Sequence, residues 1–458
     1  MRFSRIRIAV RRTCLLACVG LSCLPRLTAA EPVQTILPPP AATATTAVPP
    51  LCLADLEQMA LRHNPTLAQA AAQIDVSRAK ALQAGLYPNP TIGYQAELIG
   101  VTGPTGKSTP GEFQGGFIRQ EIVTAGKLQL SRAKYNQEAR EAEIAAVGQQ
   151  LRVVNGIRTR FFELLAIQRM IDLRRELLKN AEENLLTTRE MFNTGLANEA
   201  EVLLAQNEVN RAKIDLATQE NLYISFWQHL VALLGNPDMP PSPLKGQLEP
   251  ACPPLDWETS LAQLLAGSPE LQAAHAHVVH DQITIKRERV EPIPNINIQA
   301  GTGYNYETPG TNANVQVSIR VPLFDRNQGT VRQAQAELVR SQAAVQRIEL
   351  SLRQRLADSF NQYRTALLTT QLYRDANIPN ARKAYEVQLE MYKKRRIAWP
   401  EVVKLQRNLF QVQSEYTHSL LELRRAEVAI TGLLMVDGLT PPMTPVPGGH
   451  LEAVPKPR

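Results

Sequence analysis

Hydrophobic and polar residues along this chain change period several times, and the changes mark its elements. From Asn295, the residues Ile296, Ile298, Ala300, Thr302, Tyr304 and Tyr306 alternate with Asn295, Asn297, Gln299, Gly301, Gly303 and Asn305. From Asn314, Val315, Val317, Ile319, Val321 and Leu323 alternate with Asn314, Gln316, Ser318, Arg320 and Pro322. A period of two with one apolar and one polar face predicts strands over about 295–306 and 314–323. A second, less regular pair is read over about 91–98 and 113–122, joined by a loop rich in Gly, Pro, Ser and Thr. Strands of this length suit a transmembrane barrel with lipid on one side and water on the other. A β-sandwich or a hairpin resting on a soluble core would alternate in the same way.

Elsewhere the period is helical. Stretches from about Lys127 to Asn193 and from about Gln328 to Arg395 carry one narrow apolar seam at three-four spacing. The first seam holds Val147, Leu151, Val154, Ile157, Phe161 and Leu164, and the second Val345, Ile348, Leu352, Leu356, Phe360, Tyr363 and Leu367. At 1.5 Å per residue each helix is on the order of 100 Å long, and a narrow seam leaves the rest of its surface wet. Pro379 is expected to kink or interrupt the second. Shorter helices over about 54–86 and 257–290 end at Tyr87-Pro88-Asn89-Pro90 and Glu291-Pro292-Ile293-Pro294.

These elements occur twice in one order: helix, two strands, very long helix, turn, helix. At a spacing of 204, Pro65, Leu67, Pro88, Pro90 and Ile92 meet Pro269, Leu271, Pro292, Pro294 and Ile296. At a spacing of 201, Ile118, Arg119 and Ile122 meet Ile319, Arg320 and Leu323, and Leu196, Ala197, Leu204 and Asn207 meet Ile397, Ala398, Leu405 and Asn408. A period near 200 is too long for a solenoid and marks a duplicated domain. Nineteen of the 32 prolines fall in residues 31–50, 236–254 and 441–458, which read as an N-terminal tail, a linker and a C-terminal tail around repeats 51–235 and 255–440. The fold class is mainly α with a small β part.

Charge changes the picture only at the N-terminus. The formal net charge of +7 over 458 residues suggests a polyanion partner. Residues 1–30, however, hold six Arg and no Lys, Asp or Glu, and lead through an apolar run to Thr28-Ala29-Ala30, the layout of a secretory signal peptide. Without them the charge falls to +1, and no nucleic-acid partner is expected. Leu15-Leu16-Ala17-Cys18 looks like a lipoprotein box preceded by too short an apolar run. Outside the leader only Cys52 and Cys252 remain, too few for a disulfide framework; whether they pair stays open.

No other stretch is long and apolar enough for a membrane helix, so any membrane role uses strands. Four strands cannot close a barrel, since the smallest have about eight. Two chains would supply eight and fill the interior with side chains, whereas three would supply twelve and leave a lumen. The geometry is that of a conduit from the outer membrane across the periplasm.

The duplicated unit over about residues 51–440 resembles the TolC-like outer-membrane efflux factors. The resemblance rests on His63-Asn64-Pro65, Tyr87-Pro88-Asn89-Pro90, Gln120-Glu121-Ile122 leading to Gly126-Lys127, and Asn193-Thr194-Gly195-Leu196-Ala197 with Glu201-Val202-Leu203. The first copy looks most like the branch paired with heavy-metal cation pumps. The resemblance implies a homotrimeric outer-membrane channel, in contact with outer-membrane lipid. It further implies a periplasmic adaptor protein and an inner-membrane pump, with the resistance-nodulation-division type favoured, and neither enzymatic activity nor a cofactor. In that family the helix-helix turns form the adaptor contact and the constriction. Here these tips are Gly195, Leu196, Ala197 and Asn198, and Arg396, Ile397, Ala398 and Trp399. Family members often carry acidic residues at the positions of Glu401 and Lys404; Lys404 reverses that charge, and an inter-subunit ion pair among Glu201, Glu401 and Lys404 is one arrangement of the aperture.

Other signals are weaker. His275, His277 and His280 cluster, but only His277 and His280 share a helix face, so a solvated surface is expected rather than a metal site. Gly106-Lys107-Ser108 lacks the earlier glycine of a phosphate-binding loop, since position 101 is Val101. A protein-secretion duct remains an alternative within the channel class, and a periplasmic adaptor or coiled-coil scaffold an alternative outside it.

Overall fold

A computed structural model of the chain describes residues 50–99, 111–249, 254–394, 396–397 and 399–443. The expected signal peptide with Cys18, nearly all of the N-terminal tail, Gly106-Lys107-Ser108, Cys252, Ala398 and most of the C-terminal tail lie outside the described residues. In chain order the elements are α1 (Leu53–His63), α2 (Pro65–Ala84), β1 (Thr91–Glu97), β2 (Phe113–Ile122), α3 (Lys127–Asn193) and α4 (Glu199–Leu234). They continue as α5 (Trp257–Gly267), α6 (Pro269–Val290), β3 (Ile296–Asn305), β4 (Gly310–Ile319), α7 (Gln328–Leu372), a π-helical turn (Tyr373–Asn377), α8 (Ile378–Lys393) and α9 (Trp399–Thr431).

Each opening helix, expected in one piece, is two. Asn64 takes the extended backbone that a residue before proline prefers, and its side chain accepts from Thr66 N at 2.9 Å. Pro65 then occupies the first helical position, where its missing N–H leaves nothing unsatisfied. Ser268 and Pro269 divide α5 from α6 with the same extended backbone and first-position proline, but without a side-chain cap bond.

The described strands form one antiparallel sheet in the order β1-β2-β3-β4. The outer strand of the second hairpin starts and ends earlier than alternation suggests. Asn305 pairs with Gly310 across the turn, and the last pair is Ile296 with Ile319. Beyond Ile319 there is no partner residue, because β3 begins only after Pro294, and Pro322 has no N–H to donate.

The core lies among the helices. Val153, Ile157, Phe161 and Leu164 of α3 pack with Trp227, Leu230 and Leu234 of α4, Leu56 of α1 and Leu420 of α9. Burying each such side chain contributes about 1.5–3 kcal/mol. A second cluster joins Leu264 of α5, Leu352, Leu356 and Phe360 of α7 and Leu423 of α9. The narrow-seam expectation fits α7 and fails for α3, where Val147 is exposed and Leu151 and Val154 are only half-buried, while Gln149, Asn155 and Glu163 are buried beside Ile157, Phe161 and Leu164. The central helix is enclosed by α2, α4, α6 and α9 and has little wet surface over its middle turns. Among the described residues no helix is long and apolar enough to cross a membrane.

Candidate functional site

The register sorts the sheet into two faces. One carries the cross-strand row Ile92, Ile118, Ala300 and Val315, the row Tyr94, Gly116, Thr302 and Ala313, and the rows ending Ile298–Val317 and Ile296–Ile319. In a single chain this apolar face is bare: Ile92 is 80% exposed and Val315 74%. Apolar side chains in contiguous rows with no protein over them are the pattern of a surface that meets another apolar phase.

The opposite face carries Thr91, Arg119, Gln299 and Gln316 in one row and Glu121, Asn297 and Ser318 in another. Arg119 donates from Nε and Nη2 to Gln299 Oε1 at 2.9 and 2.6 Å, and its guanidinium lies 5.4 Å from the centre of the Phe117 ring. Phe117 is an apolar residue on the polar face. It lies across Gly93, where a Cβ would come within 2.5 Å of the ring, so the strand accommodates the aromatic only because glycine is there. Sequence reading missed Phe113 and Phe117 on this face, although their spacing from Arg119 in odd positions places all three together.

The sheet is anchored to the helices by a polar junction. Asn295 donates from Nδ2 to Glu121 Oε1 at 2.8 Å and accepts from Lys127 Nζ at 3.0 Å, while Thr124 Oγ1 donates to Pro294 O at 2.7 Å. Burial pulls the Lys127 ammonium below its usual range, against the opposing pull of Glu291 and Glu121.

At the far end of the helices, the first tip is the turn between α3 and α4. Gly195 adopts φ +75°, a left-handed conformation natural to glycine after a helix, and nothing crowds it. Leu196 is 74% exposed, and Ala197 is half-buried. Asn198 caps α4 by accepting from Glu201 N at 2.9 Å, and Glu201 returns the contact by accepting from Asn198 N at 3.1 Å. This capping box commits the Glu201 carboxylate to its own helix.

At the second tip Arg396 is exposed, Ile397 half-buried, and Trp399 opens α9 with its indole turned back on the chain. The Trp399 ring lies 4.8 Å from that of Tyr392, and its Nε1 donates to Asn184 Oδ1 of α3. Glu401 and Lys404 follow within the first turns of α9, three residues apart and both exposed. Arg407 pairs with Glu208 of α4 at 2.6 Å. The two hairpins are therefore tied near their ends by Trp399–Asn184 and Arg407–Glu208, contacts with no signal in local sequence.

The histidine cluster departs from expectation. His275 is exposed, but His280 is buried and His277 half-buried, facing Asp281 and Glu141 rather than solvent. Cys52 is free, and its thiol donates to Asp55 Oδ2 at 2.9 Å.

The family described as Outer membrane efflux protein matches residues 56–236 and 260–434. The cobalt-zinc-cadmium resistance protein CzcC of Cupriavidus metallidurans is 25% identical over 385 residues, covering 84% of this chain and 90% of that protein. The CusC transmembrane channel superposes with a TM-score of 0.71 at 16% identity, over 83% of this chain and 91% of that one. The outer membrane protein VceC of Vibrio cholerae gives a TM-score of 0.68 at 16% identity, over 83% and 96%. The open-state MtrE outer membrane channel of Neisseria gonorrhoeae gives 0.67 at 15%, over 84% and 89%. Sequence agreement across both halves of the chain thus coincides with a fold shared along most of its length: the chain belongs to the outer membrane efflux protein family.

Proposed function

We propose that three copies of this chain close a twelve-stranded barrel in the outer membrane and extend it across the periplasm as a helical conduit. The chain is the outer-membrane channel component of a tripartite efflux system; it exports substrate and does no chemistry itself. The observation that carries the trimer is the four-stranded sheet, whose apolar face is bare and whose edge strands β1 and β4 each offer one unpaired side. Joining β4 of one copy to β1 of the next removes those edges, and a barrel of this strand number leaves a lumen. The polar face, with Arg119, Gln299, Asn297 and Gln316, then lines the bore. Outer-membrane extracts should show a trimer in unheated gel samples that collapses to a single chain on boiling. A single-chain band before heating overturns the reading.

Residues 51–235 and 255–440 act as two repeats, each lending one hairpin to the barrel and one helical hairpin to the conduit. The tips, Gly195 to Asn198 and Arg396 to Trp399, meet a periplasmic adaptor that links the channel to a resistance-nodulation-division pump. Glu401 and Lys404 hold the resting aperture shut by pairing between neighbouring chains, since Glu201 is engaged in its capping box. Planar-bilayer conductance of a Glu401→Ala, Lys404→Ala double variant should rise; unchanged conductance removes this role. For cargo, the CzcC relative favours heavy-metal cations. Deleting the gene should raise sensitivity to cobalt, zinc or cadmium more than to organic drugs.

A further inference from the structure

On α6, well before it reaches the sheet, titratable side chains from two helices converge in the packed interior. His277 and His280 stack with ring centres 5.2 Å apart and planes at 10°. Asp281 Oδ1 lies 3.1 Å from His280 Nδ1 and 3.9 Å from His277 Nε2. From α3, Glu141 Oε1 lies 3.1 Å from His277 Nδ1. His280, Asp281 and Glu141 are each about 95% buried or more. Buried carboxylates are costly unless their acceptor sites are filled. Asp281 Oδ2, the oxygen that faces neither histidine contact, is buried without a hydrogen-bond partner of its own, and the Ser341 hydroxyl of α7, which donates to Leu338 O at 2.9 Å, also faces this carboxylate.

We propose that His277, His280 and Asp281 bind one divalent cation of the Zn2+ class as a resident structural ion, with Glu141 orienting His277 from outside the coordination sphere. Glu141 as a carboxylate only accepts, so His277 Nδ1 carries the proton of their contact and Nε2 is presented to the ion. A metal-bound imidazole whose other nitrogen is held by a carboxylate is a recurrent arrangement. Ligand atoms 2.0–2.1 Å from a tetrahedral ion are about 3.3 Å apart. The observed separations of 3.1 and 3.9 Å bracket that edge, and all three ligand atoms lie within 4.8 Å of one another. Closing the set requires the two stacked rings to turn out of parallel, so that both nitrogen lone pairs aim at one point. The cation replaces the proton that His280 Nδ1 shares with Asp281, the imidazole moving to its Nε2–H tautomer, and a water completes the shell.

Two imidazoles and one carboxylate suit Zn2+, Co2+ or Ni2+ better than Mg2+ or Ca2+, which prefer oxygen alone. The site lies within helix packing, on α6 against α3 and α7, so its ion braces the scaffold and does not depend on what the conduit carries.

The full-length protein, purified in detergent and stripped with chelator, should take up one Zn2+ per chain in isothermal titration. Asp281→Asn and His280→Gln should abolish that uptake, and Glu141→Gln should weaken it about 10–100-fold. His275→Gln, on the exposed side, should leave it unchanged. Independently of any variant's folding, the wild-type protein with Co2+ should develop the strong visible absorption of a tetrahedral nitrogen-oxygen site. No saturable Zn2+ uptake, full uptake by properly folded Asp281→Asn, or only the weak spectrum of octahedral Co2+ overturns the proposal.

Discussion

The two long helical stretches lie 201 residues apart in sequence and begin at equivalent points, Lys127 and Gln328, yet they do different work. α3 runs 67 residues without interruption and is enclosed over its middle turns. Its buried polar groups draw chiefly on partners from other segments, although Gln149 Oε1 is left without one. Gln149 Nε2 donates to Thr66 Oγ1 at 2.8 Å, Asn155 Nδ2 to Met435 O at 2.6 Å, and Glu163 accepts from Arg160 and Arg425 at 2.7 Å each. α7 buries one seam and leaves Val339, Leu350 and Leu372 bare on the other side. Those three stand eleven or twenty-two residues apart, near multiples of three helical turns, and so form a stripe. The two halves share the order of their elements and not their surroundings. The middle of α3 is the post of the chain, and α7 has an open apolar face.

The largest difference should appear on truncating the cores of the two helices. Phe161→Ala should cost about 3–5 kcal/mol, because the ring is enclosed by α4, α1 and the segment around Leu244 to Leu248 and the cavity cannot collapse. Leu350→Ala should change the unassembled chain by less than about 0.5 kcal/mol, and lower only the stability of the oligomer. Denaturant titrations of the solubilised single chain, followed by circular dichroism, measure both. Similar losses would mean that α7 is as enclosed as α3.

Next comes the position that distinguishes the helices most directly. Leu178 of α3 stands 201 residues before Pro379, inside an unbroken hydrogen-bond ladder and against the Leu185, Ala205 and Val209 cluster. Leu178→Pro removes one bond, drives the ring into the preceding turn, and should cost about 3 kcal/mol or more. The same titration checks it, and a loss below about 1 kcal/mol would show that α3 tolerates a break as α7 does.

Much of this contrast was hidden from sequence. Strand alternation and the three-four period report what a residue's own element requires, so the hairpin strands and the lengths of the helices were readable. The division at Asn64–Pro65 also leaves a local signal, a proline at a first helical position, although the stretch over about 54–86 reads as one helix without it. Asn198 and Glu201 spell a capping box at the right spacing, although Glu201 suggested an aperture charge instead. The narrow seam of α3 misled because Gln149, Asn155 and Glu163 look like solvated positions until the groups that satisfy them, on distant segments, are in place. The histidine cluster failed for the same reason: Asp281 is local, but Glu141 arrives from another helix. Residue faces are local properties, and burial of a polar residue is not.

The smallest effect is expected at Pro379 itself. The π-helical turn Tyr373–Asn377 has already widened the ladder, with Ile378 N–H reaching back five residues to Tyr373 O. Pro379 then stands at the second position of α8, directly after this widened turn, so its ring meets a ladder that has already opened. Pro379→Leu, which installs the residue that α3 carries at the matching position, should therefore change stability by less than about 1 kcal/mol. Its near-neutrality beside a costly Leu178→Pro would show that the interruption belongs to the turn and not to the proline alone. A gain of about 3 kcal/mol would mean instead that the proline strains the helix, and that the turn relieves nothing.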